Sequence, residues 1–255
     1  MIICFSFDDG RSDAYVAHKI MVENGIVGTF HVTTGFIDNT FNTDSFGVNR
    51  SPLSLRQLQE MKNNGMEISS HGDKHMMNDD DFATSYRKLK EWQLVNDKVG
   101  FSVPNSDYSN DELKIFYKNN KSSISYIRVG RSSKCYSLSS KVNYALYHVL
   151  HLQCFYNIFN KHNVIEKVDR NKIVSLVIKN DIKAKNIVSF IDKYKNQKNA
   201  ILVIMFHSIV EQPNNKWEWS IDNFKYLCKY LSSEKEIECL TIEQMIKQEG
   251  DKTNE

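Results

Sequence analysis

Ile2-Ile3-Cys4-Phe5-Ser6-Phe7-Asp8-Asp9-Gly10 is the stretch whose reading decides the fold. An apolar run of strand length ends in two adjacent carboxylates. Side chains on a regular strand alternate faces, so both acids can serve one site only where the strand stops. Gly10 permits the bend that turns Asp9 toward the neighbourhood of Asp8. Ser12 reads as the N-cap of a helix running to about Glu23, with Gly25 just past its end. The acidic pair is therefore expected on a strand-to-helix loop.

Two later stretches repeat that setting. Ser54 and Gln57 form a capping-box pattern, Leu55, Leu58 and Met61 mark one helical face, and Gly65 stops the helix. Met66 to Ser70 then reads as a short strand with His71 at its end. His75 follows four residues on, within reach of the same ion if the segment turns helically. A third strand, Ile201 to Phe206, delivers His207 in the same way. Asp8, Asp9, His71, His75 and His207 together supply ligands for one divalent metal, a carboxylate base and an imidazole acid, the set that hydrolysis of an unactivated amide or ester requires.

Strands alternating with amphipathic helices imply a parallel α/β layout with its site at the carboxyl edge. Residues 28–33 and 125–129 read as further strands. Residues from about Asp81 to Lys98 read as a helix with Phe82, Tyr86, Leu89 and Trp92 on one side. Toward the end, Phe224, Leu227 and Leu231 mark a helix, residues 237–240 a last strand, and Thr241 with Gln244 the start of a final helix. The 255 residues suffice for one barrel-like core, and no Gly/Ser-rich or Pro-rich linker divides them. Residues 137–199 are dense in Tyr, Leu, Val and Phe at first and read as one long helix plus a surface insertion.

With 33 basic against 31 acidic residues and a net charge of +2, electrostatics make no case for a nucleic-acid partner or a membrane surface. The cysteines (Cys4, Cys135, Cys154, Cys228, Cys239) are odd in number, widely spaced and without a C-x-x-C pair. They read as reduced thiols in apolar positions. The first strand begins at Met1 and no apolar run is long enough to span a bilayer, so a cytoplasmic address is expected if the chain is full length.

Phe5-Ser6-Phe7-Asp8-Asp9-Gly10, Ser70-His71-Gly72-Asp73-Lys74-His75 and Met205-Phe206-His207-Ser208 resemble the first, second and last motifs of the polysaccharide deacetylases. These are the family-four carbohydrate esterases, with the nodulation-protein-B homology domain. The resemblance runs in the right order from residue 2 to about residue 247, residues 137–199 excepted. It implies an irregular (β/α)7 barrel as a single domain over 1–255. It also implies a metal-dependent hydrolase that removes acetyl groups from an N-acetylated amino sugar or polysaccharide. By residue it implies Asp8 as general base, Asp9, His71 and His75 as ligands of one divalent ion, and His207 as general acid. Zinc is the expected ion, while Co, Ni or Fe also suits an N,N,O site with vacancies.

The chain departs from the family at two motifs. Where an arginine, a proline and an aromatic-Gly pair are usual, it reads Phe101-Ser102-Val103-Pro104-Asn105-Ser106-Asp107-Tyr108. This resembles the variant with Ser or Ala in the arginine position, the amide of Asn105 then being the oxyanion donor. Arg128 or Arg131 could replace the arginine. The motif with an aspartate and a tryptophan behind the acid histidine has no counterpart, although Trp217 and Trp219 lie close enough in sequence to stack on a sugar. His31, His148, His151 and His162 belong to no motif and read as structural. Three rival readings remain: a hydrolase opening cyclic amides or ureides on the same barrel, a glycan-binding pseudoenzyme, and a nucleotide-sugar transferase. The last leaves His71 and His75 unexplained and lacks a phosphate-binding loop.

Overall fold

β1 (Ile2–Phe7) is buried at every residue, which a strand achieves only when both faces are covered. The computed structural model describes residues 1–41, 51–130, 138–150 and 152–252. After β1 come α1 (Ala14–Glu23), β2 (Gly28–Val32), α2 (Thr34–Ile37), α3 (Leu55–Asn63), β3 (Glu67–Ser70), α4 (Asp79–Glu91), β4 (Val99–Ser102), α5 (Asn110–Asn119) and β5 (Ile124–Gly130). They are followed by α6 (Leu138–Leu150), α7 (Gln153–Asn160), β6 (Val164–Ile165), β7 (Ile173–Val177), α8 (Ala184–Tyr194) and β8 (Ile201–Phe206). The chain continues through β9 (Ser208–Val210), β10 (Glu218–Ser220), α9 (Ile221–Ser233), β11 (Glu238–Cys239) and α10 (Ile242–Lys252).

Seven strands pair in parallel in the order β1-β2-β3-β4-β5-β7-β8, and β8 returns to β1 in register from Ile2↔Ile201 to Phe7↔Phe206. The sheet closes on itself as the irregular (β/α)7 barrel that the motifs implied, in one domain. β11 adds to β1 in parallel and β6 to β8 antiparallel.

The strand period of two sorts the side chains. Ile3, Phe5 and Phe7 face outward into a cluster with Met21, Phe206 and Phe224 beneath the helices. Ile2 and Cys4 face inward with Tyr126, Ile173, Ile201 and Val203, where Ile242, Met245 and Ile246 of α10 plug the amino end of the barrel. Above that apolar floor the interior turns polar. Ser6 Oγ lies 3.2 Å from His31 Nδ1, His31 Nε2 lies 3.1 Å from Tyr126 Oη, and Tyr126 Oη donates to Glu67 Oε1 at 2.7 Å. Glu67 also accepts from Thr29 Oγ1, Ser69 Oγ and the backbone N–H of Glu243. Burial of this kind is tolerable because every carboxylate oxygen has donors.

Local signals hold in part. The Ser54–Gln57 capping box forms with both reciprocal hydrogen bonds, although Leu55 is exposed while Leu58 and Met61 are buried. Thr241 and Gln244 pair reciprocally at the start of α10. Ser12 does not cap α1, which starts at Ala14 after Asp13. The reason is tertiary: Arg11 bridges Pro52 and the Ser12 N–H donates to the Ser51 carbonyl at 2.8 Å, which draws both residues out of the helix. Residues 137–199 contain more than a helix and an insertion, because β7 and α8 within them complete the barrel. Cys4 and Cys228 are buried and Cys239 half-buried, but Cys154 is exposed; Cys135 lies outside the described residues. No described helix is long and apolar enough to cross a membrane.

Phe206 is 1% exposed, and its ring lies 5.3 to 5.5 Å from those of Phe5, Phe7, Phe224 and Trp219. Phe206→Ala is expected to lower stability by about 3–5 kcal/mol in urea unfolding. A loss under about 1 kcal/mol would mean that this cluster does not anchor the β1–β8 seam.

Candidate active site and metal centre

Because the barrel strands run the same way, their carboxyl ends share one rim. β1 brings Asp8 and Asp9 to it, β3 brings His71, β4 ends in Ser102, β5 carries Arg128, and β8 brings His207. Asp9 adopts the left-handed conformation at φ +76°, followed by Gly10 at +83°. That reversal carries both carboxylates to one side. The positive φ favours glycine at position 10, where a Cβ would also press on Ile37 Cδ1 at 3.0 Å.

Asp8 and Asp9 are 3% and 2% exposed, so each must be neutralised within the protein. Asp8 Oδ1 accepts from the fully buried Arg128 guanidinium and from Ser102 Oγ at 3.2 Å, and Arg128 also donates to Ser102 Oγ. Asp9 Oδ2 lies 2.5 Å from Arg11 Nη2, whose other Nη donates to Ser208 Oγ at 3.3 Å. Burial alone would raise both carboxyls. For Asp8 it is outweighed by Arg128, then His71, His207 and His31, which hold the group below the usual carboxylate range. Asp9 is lowered likewise, with its contact to His71 acting against burial ahead of Arg11.

His71 Nδ1 lies 2.9 Å from the Ser102 carbonyl, so in the neutral ring Nδ1–H donates there and Nε2 keeps its lone pair. His71 Nε2 is 3.5 Å from Asp9 Oδ1, His75 Nε2 is 3.7 Å from the same oxygen, and the two Nε2 atoms are 3.1 Å apart. Ligands bonded at roughly 2.0–2.2 Å to a tetrahedral centre lie about 3.4 Å from one another. The triangle of Asp9, His71 and His75 therefore fits a single ion, and two facing Nε2 atoms need a proton or a cation between them. Burial together with His71 pushes His75 down to about 3, whereas Asp8 and Asp9 overcome burial to raise His71.

The helical turn expected between His71 and His75 does not form. The segment is a loop with Gly72 at φ +82° and His75 at +59°. Its shape is set by Asp81 of α4, whose carboxylate accepts from the backbone N–H groups of Asp73, Lys74 and Met76 at 2.8 to 3.2 Å. Asp73 is tied in turn to Thr34 Oγ1 and Lys88 Nζ. A Cβ at Gly72 would strike Asp81 Oδ2, so the loop closes only around glycine.

His207 is half-buried at the end of β8, 4.7 Å from the Trp217 ring, and its buried Nδ1 has no hydrogen-bond partner among the described residues. Burial draws its pKa down against the pull of Asp9 and Asp8. Trp217 is half-buried beside it, but Trp219 is not a surface for sugar. It is 2% exposed, packs on Phe206 and donates Nε1–H to the Ile182 carbonyl at 2.6 Å. Alternation along β10 explains the correction, since Trp219 turns its ring into the core. Asn105 is exposed on the same rim, at φ +56° next to Ser106 at +51°. Arg131 lies outside the described residues.

Sequence reasoning missed four contributors. His31, set aside as structural, has Nδ1 3.9 Å from Asp8 Oδ1. Its inward position on β2 was the available signal. Ser102 had none, because Asp8 and Arg128 are distant from it in sequence, while Arg11 and Asp81 lie within eight residues of the groups they hold but in loops whose shape no local pattern gives.

Residues 2–120 match the family profile described as polysaccharide deacetylase. No curated protein matches the chain. Among solved structures, the Bc1960 peptidoglycan N-acetylglucosamine deacetylase aligns at TM-score 0.50 and 13% identity, over 95% of this chain and 86% of its own. A family 4 carbohydrate esterase from Streptomyces lividans aligns at TM-score 0.50 and 11% identity, over 94% and 91%. The Streptococcus pyogenes deacetylase PplD aligns at 23% identity and TM-score 0.40 over 49% of this chain and 54% of its own, so the chain spans about half of that protein. At these identities the likeness establishes the fold.

The depressed Asp8 carboxyl stabilises the fold above the ordinary carboxylate range near pH 4, a contribution lost as pH falls toward the folded value. Arg128→Met leaves that charge buried without its main partner. The expected loss is about 3–5 kcal/mol at pH 7 and less near pH 4.5, where Asp8 can take up a proton. Denaturant midpoints at the two pH values decide it; an equal loss at both would show that Asp8 does not depend on Arg128.

Proposed function

We propose that this chain, whose residues 2–120 match the polysaccharide deacetylase profile, is a metal-dependent hydrolase releasing acetate from an N-acetylated amino sugar or its polymer. One observation carries this reading: Asp9 Oδ1, His71 Nε2 and His75 Nε2 form a ligand-sized triangle with a second carboxylate, Asp8, beside it. Asp9, His71 and His75 would hold one divalent ion, zinc first, with Co, Ni or Fe compatible. The chemistry such an ion supplies when bound is polarisation of the acetyl carbonyl and acidification of water in the site.

The remaining chemistry falls to the chain. Arg128 and Ser102 hold Asp8 through Oδ1, while Oδ2 lies 4.0 Å from His71 Nε2, directed at the centre. Asp8 is thus ionised across the neutral range and oriented to accept a proton from attacking water. Burial opposes and the charges of Asp9 and Asp8 favour the protonated ring of His207, and that imidazolium would donate its proton to the departing amine nitrogen, the proton Asp8 took from water being released to restore it. The backbone amide of Asn105, on the exposed turn after β4, is the candidate donor to the oxyanion. Trp217 offers a face for the sugar ring.

A second reading, a glycan-binding pseudoenzyme, draws support from the unpartnered Nδ1 of His207. It loses its other support once Arg128 reaches Asp8 from the next strand in place of the missing motif arginine.

Three variants test the assignment. Asp8→Asn is expected to abolish acetate release from N-acetylated chitooligosaccharides while bound metal stays near one equivalent; retained turnover would overturn the base role. His75→Ala is expected to remove the ion, read by elemental analysis after dialysis, and unchanged metal content would disprove the ligand set. His207→Ala is expected to lower kcat by roughly 10²–10⁴ without loss of metal. Ring opening of ureides without acetate release would transfer the site to the cyclic-amide class.

A further inference from the structure

Beyond the reacting centre, the rim between β7 and β8 carries a cluster that the hydrolytic chemistry leaves unused. Lys179 stands two residues past the end of β7, next to the strand that delivers His207. Its Nζ lies 6.0 Å from the centroid of Trp217, 5.4 Å from that of Tyr144, and 3.3 Å from Tyr144 Oη. Lys216 Nζ approaches the same Trp217 ring at 4.8 Å. The Asn180 N–H donates to the Lys216 carbonyl at 3.1 Å, so the two lysine-bearing loops are tied together. Tyr144 comes from α6, within the stretch that interrupts the family pattern, and backs a cavity of about 120 Å³ shared with Tyr147, Tyr156, Lys179 and Asp181.

The charges on this rim are unbalanced. Among the described residues neither Lys179 nor Lys216 is ion-paired with a carboxylate: Asp181, two residues from Lys179, lies 3.2 Å from His148 Nδ1, and Glu218, two residues from Lys216, is buried and accepts from the Asn214 N–H. Two aromatic rings fix the Lys179 ammonium without neutralising it. A half-buried ammonium that makes one hydrogen bond, to a phenol, keeps donors for an anion. The Trp217 ring that Lys179 approaches also lies 4.7 Å from the ring of His207.

We propose that this rim is a second sugar-binding position, in which Lys179, aided by Lys216, takes an anionic substituent adjoining the acetylated sugar while the sugar ring lies on Trp217. The substituent is a phosphate or a carboxylate, since an ammonium point charge suits both. The inference rests on the amino-sugar reading and names the substrate class within it as charged.

Isothermal titration with N-acetylglucosamine 1-phosphate, a uronic-acid-containing N-acetylated disaccharide and neutral diacetylchitobiose tests it. The protein is expected to bind at least one charged probe about tenfold more tightly than the neutral one, and the tighter of the two identifies the anion. Lys179→Gln is expected to erase that preference, Lys179→Arg to retain most of it, and the exposed Lys216→Gln to reduce it. Equal affinity for charged and neutral probes, or a preference that survives both glutamine substitutions, would overturn the proposal. Acetate release from diacetylchitobiose by the unsubstituted protein reports on the deacetylase reading separately, because charge preference is measured by binding alone.

Discussion

Two carboxylates on adjacent residues, both nearly removed from water, constrain the rest of this molecule. Asp8 and Asp9 can be buried together only if cationic groups converge on them: Arg11 from the same loop, and Arg128 on β5 and His71 after β3 from elsewhere in the barrel. Closure of the barrel makes this possible by placing the ends of β1, β3, β5 and β8 on one rim. The arrangement leaves the two acids with different duties. Asp8 is engaged by Arg128 and Ser102 and kept ionised, while Asp9 turns one oxygen to Arg11 and the other to the imidazoles.

The interior beneath them is graded from polar to apolar. His31, Tyr126 and Glu67 connect the neighbourhood of Asp8 to the first turn of α10, where the N–H of Glu243 completes the shell of Glu67. Such a column fixes ring and carboxylate orientations through hydrogen bonds, which is how outer groups hold metal ligands in place. The loop from His71 to His75 is fixed differently, wrapped around the Asp81 carboxylate by three backbone N–H groups. His75, on a loop, thereby gains the positional definition usually found on a strand.

Much of this could be read without coordinates. The strand-end placement of Asp8, Asp9, His71 and His207, the capping boxes at Ser54 and Thr241, and the order of the motifs all led to the parallel barrel. Trp219 was misplaced because two tryptophans two residues apart look alike in sequence, and only the direction of β10 tells that one packs inside. Ser12 failed as a cap because Ser51 and Pro52 compete for its neighbourhood. Residues 137–199 obscured β7, whose short run Ile173-Val174-Ser175-Leu176-Val177 is central in the barrel but weak as a local signal.

What the sequence alone determined was the kinds of element and the residues competent for chemistry, because strand period, turn glycines and caps act over a few residues. Tertiary structure decided which groups meet: that Arg128 reaches Asp8 from β5, that Asp81 shapes the loop from His71 to His75, and that Lys179 and His207 approach the same tryptophan. Charges and hydrogen bonds act across a few ångströms of space irrespective of separation along the chain, and barrel closure sets that spacing.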